Sequence, residues 1–314
     1  MKKFAFVFPG QGSQSVGMLA DIKDEFREVG EVFSSASNVL GYDLWDLVKN
    51  GPAEKLSQTE HTQPALLAAS FAIWKVLTEN SAIKPTVLAG HSLGEYTALV
   101  CAEALRFEDA IDLVAARGKF MQEAVPVGEG ALAAIIGLDN AAVIELCNTA
   151  KLENEVLQAA NFNSKGQVVI AGNKNSVDNA IKLSKEAGAR LAKLLPVSVP
   201  SHCDLMKPAA LKLKLKLQDI AISKPKLPVI NNVDVKVYDS SDAIKDGLIR
   251  QLSMPVRFVE AVDSFSNFDI DNVIECGPGK VLTGLIKRIN SNIELNNTAD
   301  IKSLQKLIDY AKSE

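Results

Sequence analysis

Short apolar runs alternate with stretches of helical period along this chain, an alternation that predicts a parallel sheet with helices on both faces. Residues 4–8, Phe-Ala-Phe-Val-Phe, read as a first buried strand, 63–77 as a helix with Pro64 tolerated in its first turn, and 86–89 as a second strand. Two helices follow, over 93–104 and 107–124. From about Val125 the texture changes: strand 131–137, helix 141–150, strands 156–161 and 167–171, helix 176–187 and strand 190–197. That β-α-β-β-α-β order is the split βαβ arrangement of ferredoxin-like modules. The α/β texture then resumes with a strand at 227–231, helices at 242–252 and 256–265, a strand at 272–275, and a closing helix after Gly277-Pro278-Gly279. The expectation is an α/β chain in which residues 1–124 and 199–314 form a large parallel-sheet domain and 125–198 a small inserted ferredoxin-like one. One segment resists the pattern. Leu211-Lys212-Leu213-Lys214-Leu215-Lys216-Leu217 alternates like a strand, yet Leu and Lys are good helix formers and Met206-Lys207-Pro208-Ala209-Ala210 resembles a helix start, so it is assigned helix.

At 314 residues the chain is long enough to bury a full core. Its 34 basic and 38 acidic residues leave a net charge of −4, which gives no argument for nucleic acid. The start imitates a signal peptide, but the apolar stretch stops at Pro9-Gly10, and no other stretch approaches the roughly 18 apolar residues of a membrane span. A soluble, cytoplasmic, monomeric protein without membrane contact is expected. Four cysteines lack C-x-x-C spacing, so reduced thiols are expected rather than a metal site or disulfide scaffold. Histidine is scarce: any mechanism needing an imidazole must choose among His61, His91 and His202.

The richest chemistry lies at Gly90-His91-Ser92-Leu93-Gly94, a G-x-S-x-G pentapeptide between a strand and a helix-prone run. That is the layout of a nucleophile elbow, which holds the serine hydroxyl open at the sheet edge with the helix N–H groups aimed toward a developing oxyanion. By residue frequency alone the pentapeptide would occur by chance in roughly one chain in ten of this length, so context must decide. Ser92 needs a base. His91 adjoins it inside the elbow and should point away, and His61 sits in a polar segment as a solvated side chain. His202, in a loop after the small domain, is favoured over a purely structural histidine. Asp204 is badly placed to orient the ring of its near neighbour, and a main-chain carbonyl serves equally well. Phe8-Pro9-Gly10-Gln11-Gly12-Ser13-Gln14 is either an ordinary βα loop or the place where the Gln11 N–H joins that of Leu93 in an oxyanion hole; it lacks the P-loop pattern. Arg117 is a surface cation or, in its apolar neighbourhood of Leu113, Val114, Ala116 and Phe120, a fork for a carboxylate that would select a dicarboxylic acyl group.

Together with Thr62-Gln63-Pro64-Ala65, Glu95-Tyr96, Arg117-Gly118, Pro200-Ser201-His202, Asn231-Asn232-Val233 and Gly277-Pro278-Gly279-Lys280-Val281-Leu282, these segments closely resemble the malonyl-CoA:acyl carrier protein transacylases, in order and over almost the whole chain. The resemblance implies a hydrolase-like large domain with a ferredoxin-like small one. It implies malonyl transfer from coenzyme A to Ser92 and then to the phosphopantetheine thiol of holo-acyl carrier protein, with no bound cofactor. In that family's terms His202 is general base and acid, Arg117 the carboxylate clamp, Gln11 and Leu93 the oxyanion hole, and Gln251 the residue whose main-chain carbonyl orients the histidine. Gln63, Asn163 and Met121 match substrate-proximal positions. Leu132 stands where many relatives carry methionine, a swap of similar volume. Acyl carrier proteins are generally acidic, and Lys182, Lys185 and Lys193, or Lys212, Lys214 and Lys216, are candidates for a basic docking patch. The alternatives are transfer of another acyl group from coenzyme A, or an esterase on the same elbow.

Overall fold

A computed structural model describes residues 2–197 and 199–310. The large sheet has five parallel strands in the order β7-β2-β1-β8-β9: β1 (Phe4–Phe8), β2 (Pro85–Gly90), β7 (Val229–Ile230), β8 (Asn272–Glu275) and β9 (Glu294–Asn297). Strand β1 lies at its centre with all five residues buried. Alternation sends Phe4, Phe6 and Phe8 into one apolar core and Ala5 and Val7 into a second on the opposite face, which is why the run is apolar throughout. Between β1 and β2 the chain forms α1 (Ala20–Glu25), α2 (Arg27–Leu40), α3 (Leu44–Asn50), α4 (Ala53–Leu56) and α5 (Thr59–Asn80). After β2 come α6 (Leu93–Cys101) and α7 (Phe107–Ala124).

The second sheet is antiparallel, in the order β4-β5-β3-β6, from β3 (Gly130–Ile136), β4 (Leu157–Ser164), β5 (Gln167–Asn173) and β6 (Leu191–Leu194). Helices α8 (Asn140–Ala150) and α9 (Lys174–Ser184) complete the β-α-β-β-α-β unit, and its core, around Ile135, Val143, Ile170 and Val177, is separate from the other two. The remaining helices are α10 (Lys207–Lys216), α11 (Ser241–Gln251), α12 (Phe258–Asp263), α13 (Val281–Ile289) and α14 (Ile301–Tyr310). Among the described residues no helix is long and apolar enough to cross a membrane.

Two details depart from the sequence reading, and a third agrees with it. Helix α5 begins at Thr59, so Pro64 lies inside the helix rather than in its first turn, and it cannot donate to the carbonyl of Glu60. Helix α7 packs tightly on this first turn: a Cβ on Gly118 would fall 2.6 Å from both Glu60 Cα and the Thr59 carbonyl oxygen. The helix α13 does not close the chain, because β9 and α14 follow it. The Leu-Lys alternation of 211–217 is helical as assigned: Leu213 and Leu217 are buried while Leu211 and Leu215 stand exposed. The period of two therefore reported no strand face, since every fourth residue returns to the same side of a helix.

Candidate active site

Ser92 occupies the turn between β2 and α6 with φ 51° and ψ −105°, a backbone conformation that a non-glycine residue holds only when its surroundings impose it. A Cβ on Gly90 would lie 1.9 Å from the carbonyl carbon of Gly94, and one on Gly94 2.0 Å from the carbonyl oxygen of Phe8. The elbow closes against β1 only because both positions lack side chains. Asn232, just after β7, ties the turn from outside. Its Oδ1 accepts from the Ser92 N–H at 2.8 Å, and its Nδ2 donates to the Gly90 carbonyl at 2.7 Å.

His202 arrives from the loop after β6, buried and at φ 65°. Its Nε2 is 2.8 Å from Ser92 Oγ and its Nδ1 is 2.8 Å from the main-chain oxygen of Gln251. A carbonyl only accepts, so the proton resides on Nδ1 and the Nε2 lone pair faces the serine hydroxyl. The main-chain N–H of His202 also donates to the neighbouring carbonyl of Leu252 at 3.0 Å, so backbone and ring are both anchored to the end of α11. Burial first, and then the positive charge of Arg117, push the imidazole pKa down to about 3. The ring is thus neutral and available as a base.

Arg117, on α7, is 1 % exposed. Its Nη1 donates to Gln63 Oε1 at 2.8 Å, and its Nη2 to Gln251 Oε1 at 2.9 Å and to Ser92 Oγ at 3.3 Å. The guanidinium lies 5.2 Å from the ring centroid of Tyr96, and its Nε–H has no hydrogen-bond partner among the described residues. Every one of these hydrogen-bond partners is uncharged. Burial accordingly lowers the guanidinium pKa, with Tyr96 and Glu95 opposing the shift. A buried cation dressed only in neutral acceptors is costly unless an anion joins it.

Behind Arg117 sits a polar cluster. Glu95, in the first turn of α6, accepts from the Tyr238 hydroxyl at 2.5 Å, from the Asn232 N–H at 2.9 Å and from Gln251 Nε2 at 2.9 Å. Burial raises the Glu95 pKa, against the pull of those three donors and of Arg117.

Eight of the nine residues singled out from the sequence, Gln11, Gln63, Ser92, Leu93, Arg117, Met121, Asn163 and His202, line one cavity of about 170 Å³, whose other walls include Leu132, Val169, Val197 and Val199. Gln251 is fully buried behind it. Gln63 Nε2 lies 3.4 Å from Met121 Sδ, so these two neighbours of the arginine also touch each other. His91 turns away from Ser92, as expected, and its Nε2 lies 2.8 Å from Asn163 Oδ1. His61 is not simply solvated, since its Nδ1 meets the Tyr42 hydroxyl at 3.0 Å. Asp204 pairs with Lys207 at 2.9 Å instead of orienting the imidazole. Of the lysines proposed for docking, Lys212 and Lys216 are already paired with Glu123 and Asp112.

A family model for the acyl transferase domain matches residues 5–307. The chain belongs to the acyl transferase family. This acyl transferase is 55 % identical over 311 residues to the malonyl CoA-acyl carrier protein transacylase of Haemophilus influenzae, covering 99 % of both chains. Among solved structures it resembles the malonyl CoA-acyl carrier protein transacylase of Coxiella burnetii, with TM-score 0.96, 50 % identity, and coverage of 99 % of this chain and 98 % of that one. It also resembles a malonyl-transacylase solved with a type II polyketide acyl-carrier protein, at TM-score 0.96 and 51 % identity, covering 98 % of this chain and all of that one.

The elbow turn at Ser92 and the candidacy of His202 and Arg117, which the structure brings to the same hydroxyl, are legible in the sequence, but Glu95, Tyr238 and the bridging role of Asn232 are not. Glu95 carried the one available signal. It is an acid in Leu93–Cys101, a helix whose nine residues are all buried.

Proposed function

We propose that this chain moves a malonyl group from malonyl-CoA to the phosphopantetheine thiol of holo-acyl carrier protein through an ester on Ser92, supplying malonyl units for fatty acid synthesis. The observation that carries the reading is a buried arginine with no anionic hydrogen-bond partner among the described residues, beside the same hydroxyl that a neutral histidine approaches at 2.8 Å. Nucleophile, base and carboxylate clamp share one cavity, and the names of the relatives give the same substrates.

In the first half-reaction His202 Nε2 takes the Ser92 proton while Oγ attacks the malonyl thioester carbonyl. The N–H of Leu93, first residue of α6 and so free of helical bonding, and that of Gln11 stabilise the oxyanion. The C–S bond then breaks, and the imidazolium returns its proton to the departing coenzyme A sulfur. The second half-reaction runs in reverse: His202 deprotonates the pantetheine thiol, its sulfur attacks the ester, and Ser92 recovers its proton. A thioester is exchanged for a thioester, so the cycle calls for no metal and no resident cofactor.

Substrate and base are coupled electrostatically in this scheme. The Arg117 charge helps hold the His202 pKa down. A malonyl carboxylate on the guanidinium offsets that charge, so the imidazole accepts the serine proton more readily when the correct acyl group is seated.

Intact-protein mass spectrometry after mixing with malonyl-CoA tests the reading. The wild type gains the mass of one malonyl group and Ser92→Ala gains none; an unmodified wild type rejects the acyl-enzyme.

A further inference from the structure

Gln251 joins the two functional halves of the site. Its main-chain oxygen accepts from His202, while its side-chain Oε1 accepts from Arg117. The carboxamide has two orientations, and its surroundings select one. On the Nε2 side lie three acceptors: Glu95 Oε2 at 2.9 Å, the Ser92 carbonyl at 3.1 Å and Asn232 Oδ1 at 3.4 Å. On the other side stands a guanidinium, which only donates. A flipped amide would aim its NH2 at Arg117 and its oxygen at three acceptors, so it is excluded, and Glu95 makes the shortest of the contacts that exclude it.

We propose that Glu95 is a positioning residue for acyl selectivity: by accepting from Gln251 Nε2 it locks the carboxamide with Oε1 toward Arg117, and so holds the guanidinium in the orientation that grips a carboxylate. The assignment rests on the malonyl reading above. Three features support it. Glu95 makes the shortest of the three contacts to Nε2. Both partners of its Oε2, the Asn232 N–H and Gln251 Nε2, are donors, so a proton on that oxygen would find no acceptor in either of them. The Tyr238 hydroxyl at 2.5 Å anchors the other oxygen, which leaves the carboxyl group little freedom to turn. The same Asn232 also holds the elbow through the Ser92 N–H, so Glu95 steadies nucleophile and clamp together.

The test compares malonyl-CoA and acetyl-CoA as competing donors for wild type, Glu95→Leu and Glu95→Gln. In Glu95→Leu the carboxamide loses the shortest of its three acceptors and keeps only the longer contacts to the Ser92 carbonyl and Asn232 Oδ1, so its hold on the guanidinium loosens, and the malonyl KM rises with a fall in the malonyl-to-acetyl kcat/KM ratio of about tenfold or more. Glu95→Gln keeps an oxygen facing Gln251 Nε2 and retains the ratio within about threefold. A folded Glu95→Leu with the wild-type ratio overturns the assignment, as does an equal loss in both variants, which would make charge the cause and not amide orientation. Should Glu95→Leu fail to fold, Gln251→Met gives the answer, because the main-chain carbonyl that holds His202 survives. Its ratio falls by the same order, and an unchanged ratio overturns the proposal. A wild type that forms no malonyl ester defeats both readings; one that forms the ester alongside an unchanged ratio in these variants defeats this one alone.

Discussion

Removing the guanidinium of Arg117 should convert this enzyme from a malonyl to a neutral-acyl transferase. The side chain is 1 % exposed and its partners are the neutral Gln63, Gln251 and Ser92, so the desolvation cost of the cation is already built into the folded protein. A malonyl carboxylate then gains two charge-assisted hydrogen bonds, each contributing about 1.5–3 kcal/mol. Because paired contacts are not additive, the lower half of that sum, about 3–4 kcal/mol, is the working value. Arg117→Ala should therefore lower malonyl kcat/KM by roughly 10²–10³. Acetyl offers the guanidinium no anion, so its kcat/KM should stay within about threefold of wild type or rise as the pocket loses an unpaired charge. The assay is transfer to holo-acyl carrier protein from an equimolar mixture of malonyl-CoA and acetyl-CoA, with thermal unfolding as the control for folding. A folded Arg117→Ala protein that keeps the wild-type malonyl preference would refute the clamp and the energy argument with it.

Two further outcomes follow from the geometry. Gly94→Ala places a Cβ 2.0 Å from the Phe8 carbonyl oxygen, a backbone clash with no flexible atom to yield, so the variant should lose about 4 kcal/mol or more and fail to accumulate as folded protein; a wild-type melting temperature would contradict it. The pH dependence of stability should carry the signature of His202, whose pKa is lowered to about 3 in the folded chain and returns to roughly 6.5 on unfolding. Between those values the unfolded chain binds the extra proton, so this contribution is whole above about pH 6.5 and drains away as pH falls, by about 2 kcal/mol between pH 7 and pH 5. Urea unfolding at both pH values should show that difference between wild type and His202→Gln; equal losses in the two proteins would exclude it.

Much of the fold is local and so was readable. Five apolar residues in succession at 4–8 can be buried on both faces only inside a covered sheet, and the strand order after Val125 predicts the antiparallel unit seen in β3 to β6. Strand β9, Glu-Leu-Asn-Asn at the sheet edge with no fully buried residue, has almost no apolar pattern to read. Pro64 misled for a related reason: a proline favours the first turn of a helix on average, but the packing of α5 against α7 extends this helix one turn further back.

The site divides in the same way. Gly90, Ser92 and Gly94 lie within five residues, so the sequence by itself marks the turn and the candidate nucleophile, while the close approach of β1 and the bonds from Asn232 hold it in shape. The Gln251 carbonyl that accepts from His202 is reached only through family resemblance, because a main-chain carbonyl has no side-chain identity to announce it. Glu95 meets Asn232, Tyr238 and Gln251 across separations of 137, 143 and 156 residues. Periodicity records which face of an element is buried over one or two turns, and it carries nothing about which polar groups will share a desolvated interior. That choice is made when α6, α11 and the segment after β7 pack together, since each buried donor and acceptor must then find its partner among whatever the other elements bring.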